Sequence, residues 1–184
     1  MKMPERFNED TLVHFVPMVA VDEAAGAIVA PEPRPIGEVW KGYKRFQNGD
    51  VIFARITPCM ENGKAAIATN LLNGIGLGST EFHVLRPSRK VSAEWIYHFV
   101  RQQSFRNEAA RAMTGTAGQL RVPADFIAQA VIPLPPLAEQ RRIIAKIEAL
   151  FAQADAIERA VAIAQQRADK VDQAILVRAF RGEL

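Results

Sequence analysis

The chain has 184 residues, 49% of them hydrophobic, and 23 Lys/Arg against 20 Asp/Glu give a net charge of +3. That length holds one ordinary domain and one extended element, and so mild a charge excludes diffuse polyanion binding while leaving room for a local basic face. One cysteine, Cys59, excludes a disulfide framework. The polar first ten residues do not read as a signal peptide, and no apolar run reaches transmembrane length, so a soluble, cytoplasmic protein is expected.

Residues 1–50 are interrupted by Pro17, Gly26, Pro31, Pro33, Pro35 and Gly37. The short apolar pieces between them read as short strands or irregular backbone. A turn at Gly49-Asp50 leads into Val51-Ile52-Phe53-Ala54, a compact strand that Pro58 ends. Lys64–Thr69 and Glu81–Arg86 read as further strands, with Asn73–Ser79 a flexible loop between them. Ser92–Met113 has helical spacing, and Ser92 is suited to cap it. Thr114–Gly118 reads as a loop and Ala130–Leu134 as a last short strand. Pro133, Pro135 and Pro136 then forbid helix before Leu137.

From Leu137 to Arg181 there is neither Gly nor Pro. Ile143, Ile147, Leu150, Ala154, Ile157, Val161, Ala164, Ala168, Val171 and Ile175 recur at alternating steps of four and three, a heptad seam broken first at Arg178. The spacing predicts a rod roughly 67 Å long at about 1.5 Å per residue. Such a rod needs a partner helix, and the alanines suit a close antiparallel approach. Ile144 and Phe151, at e-type positions, are expected to pack on the chain's own head. Leu176, Phe180 and Leu184 share a face away from the seam and read as either exposed surface or a second docking patch. The fold class expected is α+β: a globular domain over 1–133, then a single long coiled-coil helix over 134–184.

Catalytic chemistry finds little support. His14, His83 and His98 form no metal-ligand spacing. Gly74-Ile75-Gly76-Leu77-Gly78-Ser79 lacks the third glycine of a dinucleotide loop and reads as a hairpin loop. No Walker lysine motif and no nuclease-like carboxylate cluster occurs. What remains are polar segments able to meet phosphates and base edges. The DNA-contact candidates are Tyr43, Lys44, Arg55, Asn62, Lys64, Ser79, Thr80, Thr116, Gln119 and Arg121.

Three stretches carry a family likeness: Gly49–Lys64, with Ile56-Thr57-Pro58-Cys59-Met60-Glu61-Asn62-Gly63-Lys64; Gly78-Ser79-Thr80-Glu81-Phe82, leading to Leu85-Arg86-Pro87; and Pro133-Leu134-Pro135-Pro136-Leu137-Ala138-Glu139-Gln140-Arg141-Arg142-Ile143. With the ending Ala179-Phe180-Arg181-Gly182-Glu183-Leu184, the chain resembles the specificity subunits of bacterial type I restriction–modification systems. The resemblance implies a non-catalytic DNA-reading subunit of an enzyme complex. In that family two target-recognition domains each precede a long helix, and the two helices pair antiparallel to space the domains on a split target. One domain and one helix look like half a subunit, whether natural, a fragment or a truncation. The start near Phe15-Val16-Pro17-Met18 is abrupt for the family. Implied partners are double-stranded DNA, methyltransferase subunits, a restriction subunit, and a second copy or a different half. S-adenosylmethionine is expected on the methyltransferase, with no cofactor here. The competing reading is a coiled-coil assembly or decoy protein without specific DNA binding.

Overall fold

The computed structural model describes residues 5–116 and 118–183. In chain order, β1 (Leu12–Val16), the ribbon β2 (Val21–Asp22) and β3 (Ala27–Ile28), β4 (Glu32–Pro35), the short α1 (Ile36–Val39) and β5 (Lys44–Gln47) come first. Next are β6 (Val51–Ala54), β7 (Ala65–Ile67), β8 (Ile75–Gly78) and β9 (Phe82–Leu85). Two helices follow, α2 (Ala93–Arg101) and α3 (Gln103–Arg111), then the hairpin β10 (Thr114–Thr116) and β11 (Gln119–Arg121), α4 (Ala124–Gln129) and the long α5 (Leu137–Phe180). The chain divides into two compact units, Met1–Gln140 and Arg141–Leu184.

The first unit is layered. One sheet runs β4-β1-β8-β5, with β1 parallel to β8 and the other pairs antiparallel. The second, antiparallel throughout, runs β7-β6-β9. Alternation along each strand sends side chains to opposite faces. Val16, Phe46, Ile52, Ala66 and Phe82 meet in one core between the sheets. Val13, Phe15 and Leu77 turn the other way, onto Ile36 and Val39 of α1. Phe53 and Ala65 turn toward Val100, Phe105 and Ala109 of the α2–α3 layer. All four residues of β6 are therefore fully buried, one face in each core.

Several expectations from the sequence are corrected. Ile75–Gly78 is not a flexible or hairpin loop but an interior strand of the first sheet. Its glycines face the Phe46 ring, and a Cβ at Gly76 would lie 2.3 Å from Phe46 Cε2. A Cβ at Gly78 would lie 2.5 Å from the Val16 carbonyl oxygen. The ring takes the space that side chains would occupy in an ordinary strand. Thr114–Gly118 belongs to a hairpin, with Thr116 opposite Gln119, although Ala117 lies outside the described residues. Ala130–Leu134 is not a strand: it pairs with none of the strands described, and Val131 is 87% exposed. Instead α4, missed in the sequence, precedes it. The helix expected over Ser92–Met113 is two helices, broken at Gln102, whose backbone is extended at ψ 136°. Its cap is as expected, with Ser92 Oγ accepting from Trp95 N at 3.2 Å.

The helix start after the proline run also agrees, and α5 runs for 44 residues, roughly 66 Å at about 1.5 Å per residue. Its first turn belongs to the first unit. Gln140 is fully buried there and donates to the carbonyls of Lys90 and Pro135, while its Oε1 accepts from Ser92 N. Buried amides persist where every polar atom is satisfied. Beyond this turn Ile144 is buried, Phe151 is exposed, and every described residue from 151 onward is exposed. Seam residues Leu150, Ile157, Val161, Val171 and Ile175 all face water. Leu176 and Phe180 are exposed too, while Leu184 lies outside the described residues.

Candidate nucleic-acid interface

The site grows from the end of β6. Arg55 leaves the buried strand, and its N–H donates to the Glu81 carbonyl at 2.9 Å. The hairpin β10–β11 is stitched to the same segment. Thr57 N donates to Leu120 O, Val122 N donates to Arg55 O, and Ile56 bridges Arg121. Two arginines from distant parts of the chain thus flank one carboxylate. Arg121 Nε donates to both Glu81 oxygens at 3.0 Å, and its second terminal nitrogen to Oε1 at 2.9 Å. Its first terminal nitrogen donates to the Gln119 carbonyl at 2.9 Å. Arg55 Nε is buried, lacks a hydrogen-bond partner and stands 4.0 Å from Glu81 Oε2.

Glu81 is itself fixed. Its N–H donates to Ser79 Oγ at 3.2 Å, in the turn that carries Thr80 outward. Pairing with Glu81 raises the Arg121 guanidinium above its ordinary pKa. Behind them His83 is buried, and its Nε2 donates to the Val122 carbonyl at 3.0 Å. Burial depresses the His83 pKa against that hydrogen bond, and the positive charges of Arg55 and Lys44 add to the depression. Lys44 opens β5 opposite Gly78, exposed, and its field reaches the same histidine.

The structure therefore gathers Lys44, Arg55, Ser79, Thr80, Gln119 and Arg121 around Glu81 and His83, with exposed Thr116 on the same hairpin. Tyr43, half exposed, precedes Lys44 and stands edge-on against Phe15 at 4.8 Å. Asn62 and Lys64 are not brought to this group. Both turn to Glu23, Asn62 Nδ2 at 3.4 Å and Lys64 Nζ at 3.5 Å, and Lys64 also donates to the Met18 carbonyl. At 14% side-chain exposure, Lys64 is already neutralised and largely covered. Sequence reasoning missed Glu81. Its signal was its place in Gly78-Ser79-Thr80-Glu81-Phe82, the only acid in a stretch already singled out, where the arginines nearby need a counter-charge.

With that geometry in place, the family can be decided. Residues 35–164 match the model of the type I restriction modification DNA specificity domain. The chain belongs to that family. It is 40% identical, over 152 residues, to the type I restriction enzyme EcoAI specificity subunit of Escherichia coli, covering 82% of this chain and 26% of that one. It also resembles the crystal structure of the HsdS subunit from Thermoanaerobacter tengcongensis, with a TM-score of 0.74 at 30% identity, over 89% of this chain and 42% of that one. A second solved chain comes from a study titled for complex assembly and conformational transition of the type I R-M system. It matches with a TM-score of 0.78 at 30% identity, over 93% of this chain and 44% of that one. The chain spans about a quarter of the curated relative and under half of the solved ones. Among the described residues no helix is long and apolar enough to cross a membrane.

Proposed function

We propose that this chain reads one half of a bipartite double-stranded DNA target and carries no catalysis of its own. Recruited methyltransferase subunits would hold S-adenosylmethionine and do the chemistry, and a restriction subunit would join them in the cytoplasm. The single observation that carries the reading is the meeting of Arg55 and Arg121 at Glu81 beside exposed Thr80, Thr116 and Gln119, with the charge of Lys44 reaching the neighbouring His83. Cations fix register on phosphates, and the adjacent amide and hydroxyls suit base edges. The seam of α5 supports a second part of the reading, pairing with a second copy, because an apolar stripe of this length is stable in water only when covered. A two-fold pair is the simplest closed outcome.

The test is DNA binding by the full chain together with methyltransferase subunits, followed by anisotropy over a range of salt. Wild type should bind a preferred sequence, with log affinity falling linearly in log salt. The Arg55→Ala/Arg121→Ala double variant should bind more weakly, while Lys64→Ala changes little. Equal affinity for wild type and double variant would remove this face from the interface. Absence of any sequence preference would favour the assembly or decoy reading.

A further inference from the structure

An arginine presents five N–H donors in a fixed plane. In Arg121 the Nε donor and one on the second terminal nitrogen are taken by Glu81, and one on the first terminal nitrogen by the Gln119 carbonyl. Among the described residues one N–H on each terminal nitrogen has no acceptor. Carboxylate clamping along one edge removes the rotamer freedom that an exposed arginine ordinarily has. Glu81 is in turn fixed from behind by Ser79 Oγ and the Arg55 N–H. The Arg121 side chain remains one-third exposed.

Resting on the DNA reading above, we propose that Glu81 is a positioning residue that aims the tip of Arg121 at a guanine in the major groove. One donor on each terminal nitrogen can meet the O6 and N7 acceptors of guanine, a pair that no other base edge in that groove offers. The same fork also fits a phosphate bidentately, and dependence of binding on the guanine N7 separates the two. Glu81 therefore acts on specificity through Arg121, without touching DNA. The nearby Arg55 Nε, buried and without a hydrogen-bond partner, places a second positive charge 4.0 Å from Glu81 Oε2.

The experiment is selection from a randomised duplex library by the full chain together with methyltransferase subunits, as wild type, Glu81→Gln and Arg121→Lys, with thermal unfolding of each variant as a control for folding. Wild type should enrich a motif with a guanine position at which other bases bind roughly tenfold or more weakly. Substituting 7-deazaguanine there, which lacks the N7 acceptor, should cost wild type a similar factor. Glu81→Gln should keep the rest of the motif and lose that preference. Arg121→Lys should lose it too. If either variant retains the guanine preference, the positioning role is overturned. The same holds if Glu81→Gln tightens binding to all sequences equally, which would make Glu81 a competitor for Arg121. A wild type that enriches no motif at all overturns the DNA reading itself, and is thereby distinguishable from failure of this inference alone.

Discussion

The α5 seam offers the sharpest test of assembly, through Ile157. Its side chain lies mid-seam and the residue is 64% exposed. Full burial of an isoleucine is worth about 1.5–3 kcal/mol, so covering the exposed share contributes about 1–2 kcal/mol per copy. A two-fold pair contains the position twice, and Ile157→Ala removes about 2–4 kcal/mol from the dimer. The dissociation constant should rise between about thirtyfold and a thousandfold. Adding Ile147→Asp and changing Ile157 to Asp places carboxylates in the seam, at a further cost of several kcal/mol for unpaired buried charge. Sedimentation equilibrium over a range of loading concentrations gives the constants directly. Gln166→Asp, on the opposite face of the helix about two and a half turns further on, is the control and should leave the constant within about twofold, because exposed substitutions have small effects. A wild type that stays monomeric at high concentration, or a double Asp variant that dimerises as wild type does, refutes the seam as the interface.

Other outcomes follow from the same structure. Deleting one heptad, Ala154 to Ala160, keeps the seam in phase and shortens the helix by about 10 Å; methylation mapping should then find the same half-sites with a spacer roughly three base pairs shorter at about 3.4 Å per pair, or no activity. A symmetric pair of identical chains should also recognise an interrupted palindrome, and an asymmetric target in the wild type would point to a different second half. Asp50 is 1% exposed, accepts two 2.8 Å hydrogen bonds from Arg86 and one from Gln47 N; since Arg86 is largely solvated, Asp50→Ala should cost roughly 1–3 kcal/mol in urea unfolding, most of it from Gln47 N and the emptied space. Gly78→Ala should cost about 1–3 kcal/mol, because the obstructing atom is the Val16 backbone oxygen, which cannot rotate away. Burial lowers the His83 pKa below its unfolded value near 6.5, so its unfolded form binds more protons at acid pH; stability should be unaffected by this group above about pH 6.5 and fall as pH drops toward the folded pKa. His83→Gln should flatten that slope, and an unchanged profile would show that the imidazole is not held neutral.

How far the sequence carried depends on what decides each segment. Val51–Ala54 was legible because a compact apolar run bounded by Gly49-Asp50 and Pro58 has few alternatives, and α5 because the unbroken heptads from Ile143 to Ile175 leave no other period. Ile75–Gly78 was not, since its glycines are turn formers by local chemistry and only the Phe46 ring makes them strand residues. Ala130–Leu134 fails in the opposite sense, with strand-like residues that pair with no described strand. The break at Gln102 has no Gly or Pro to announce it. At the interface the sequence supplied donors but not their availability. Lys64 follows Arg55 by nine residues, yet one meets Glu23 and the other Glu81. Which cation is spent on an internal acid is a tertiary fact, invisible to any tally of Lys and Arg. The same fact turns Glu81 from a subtraction of charge into a determinant of aim. An interface that owed its function to net charge would be weakened by an acid between two arginines. One that reads a base edge gains from it, because an arginine locked along one edge has a single direction in which its remaining donors can point.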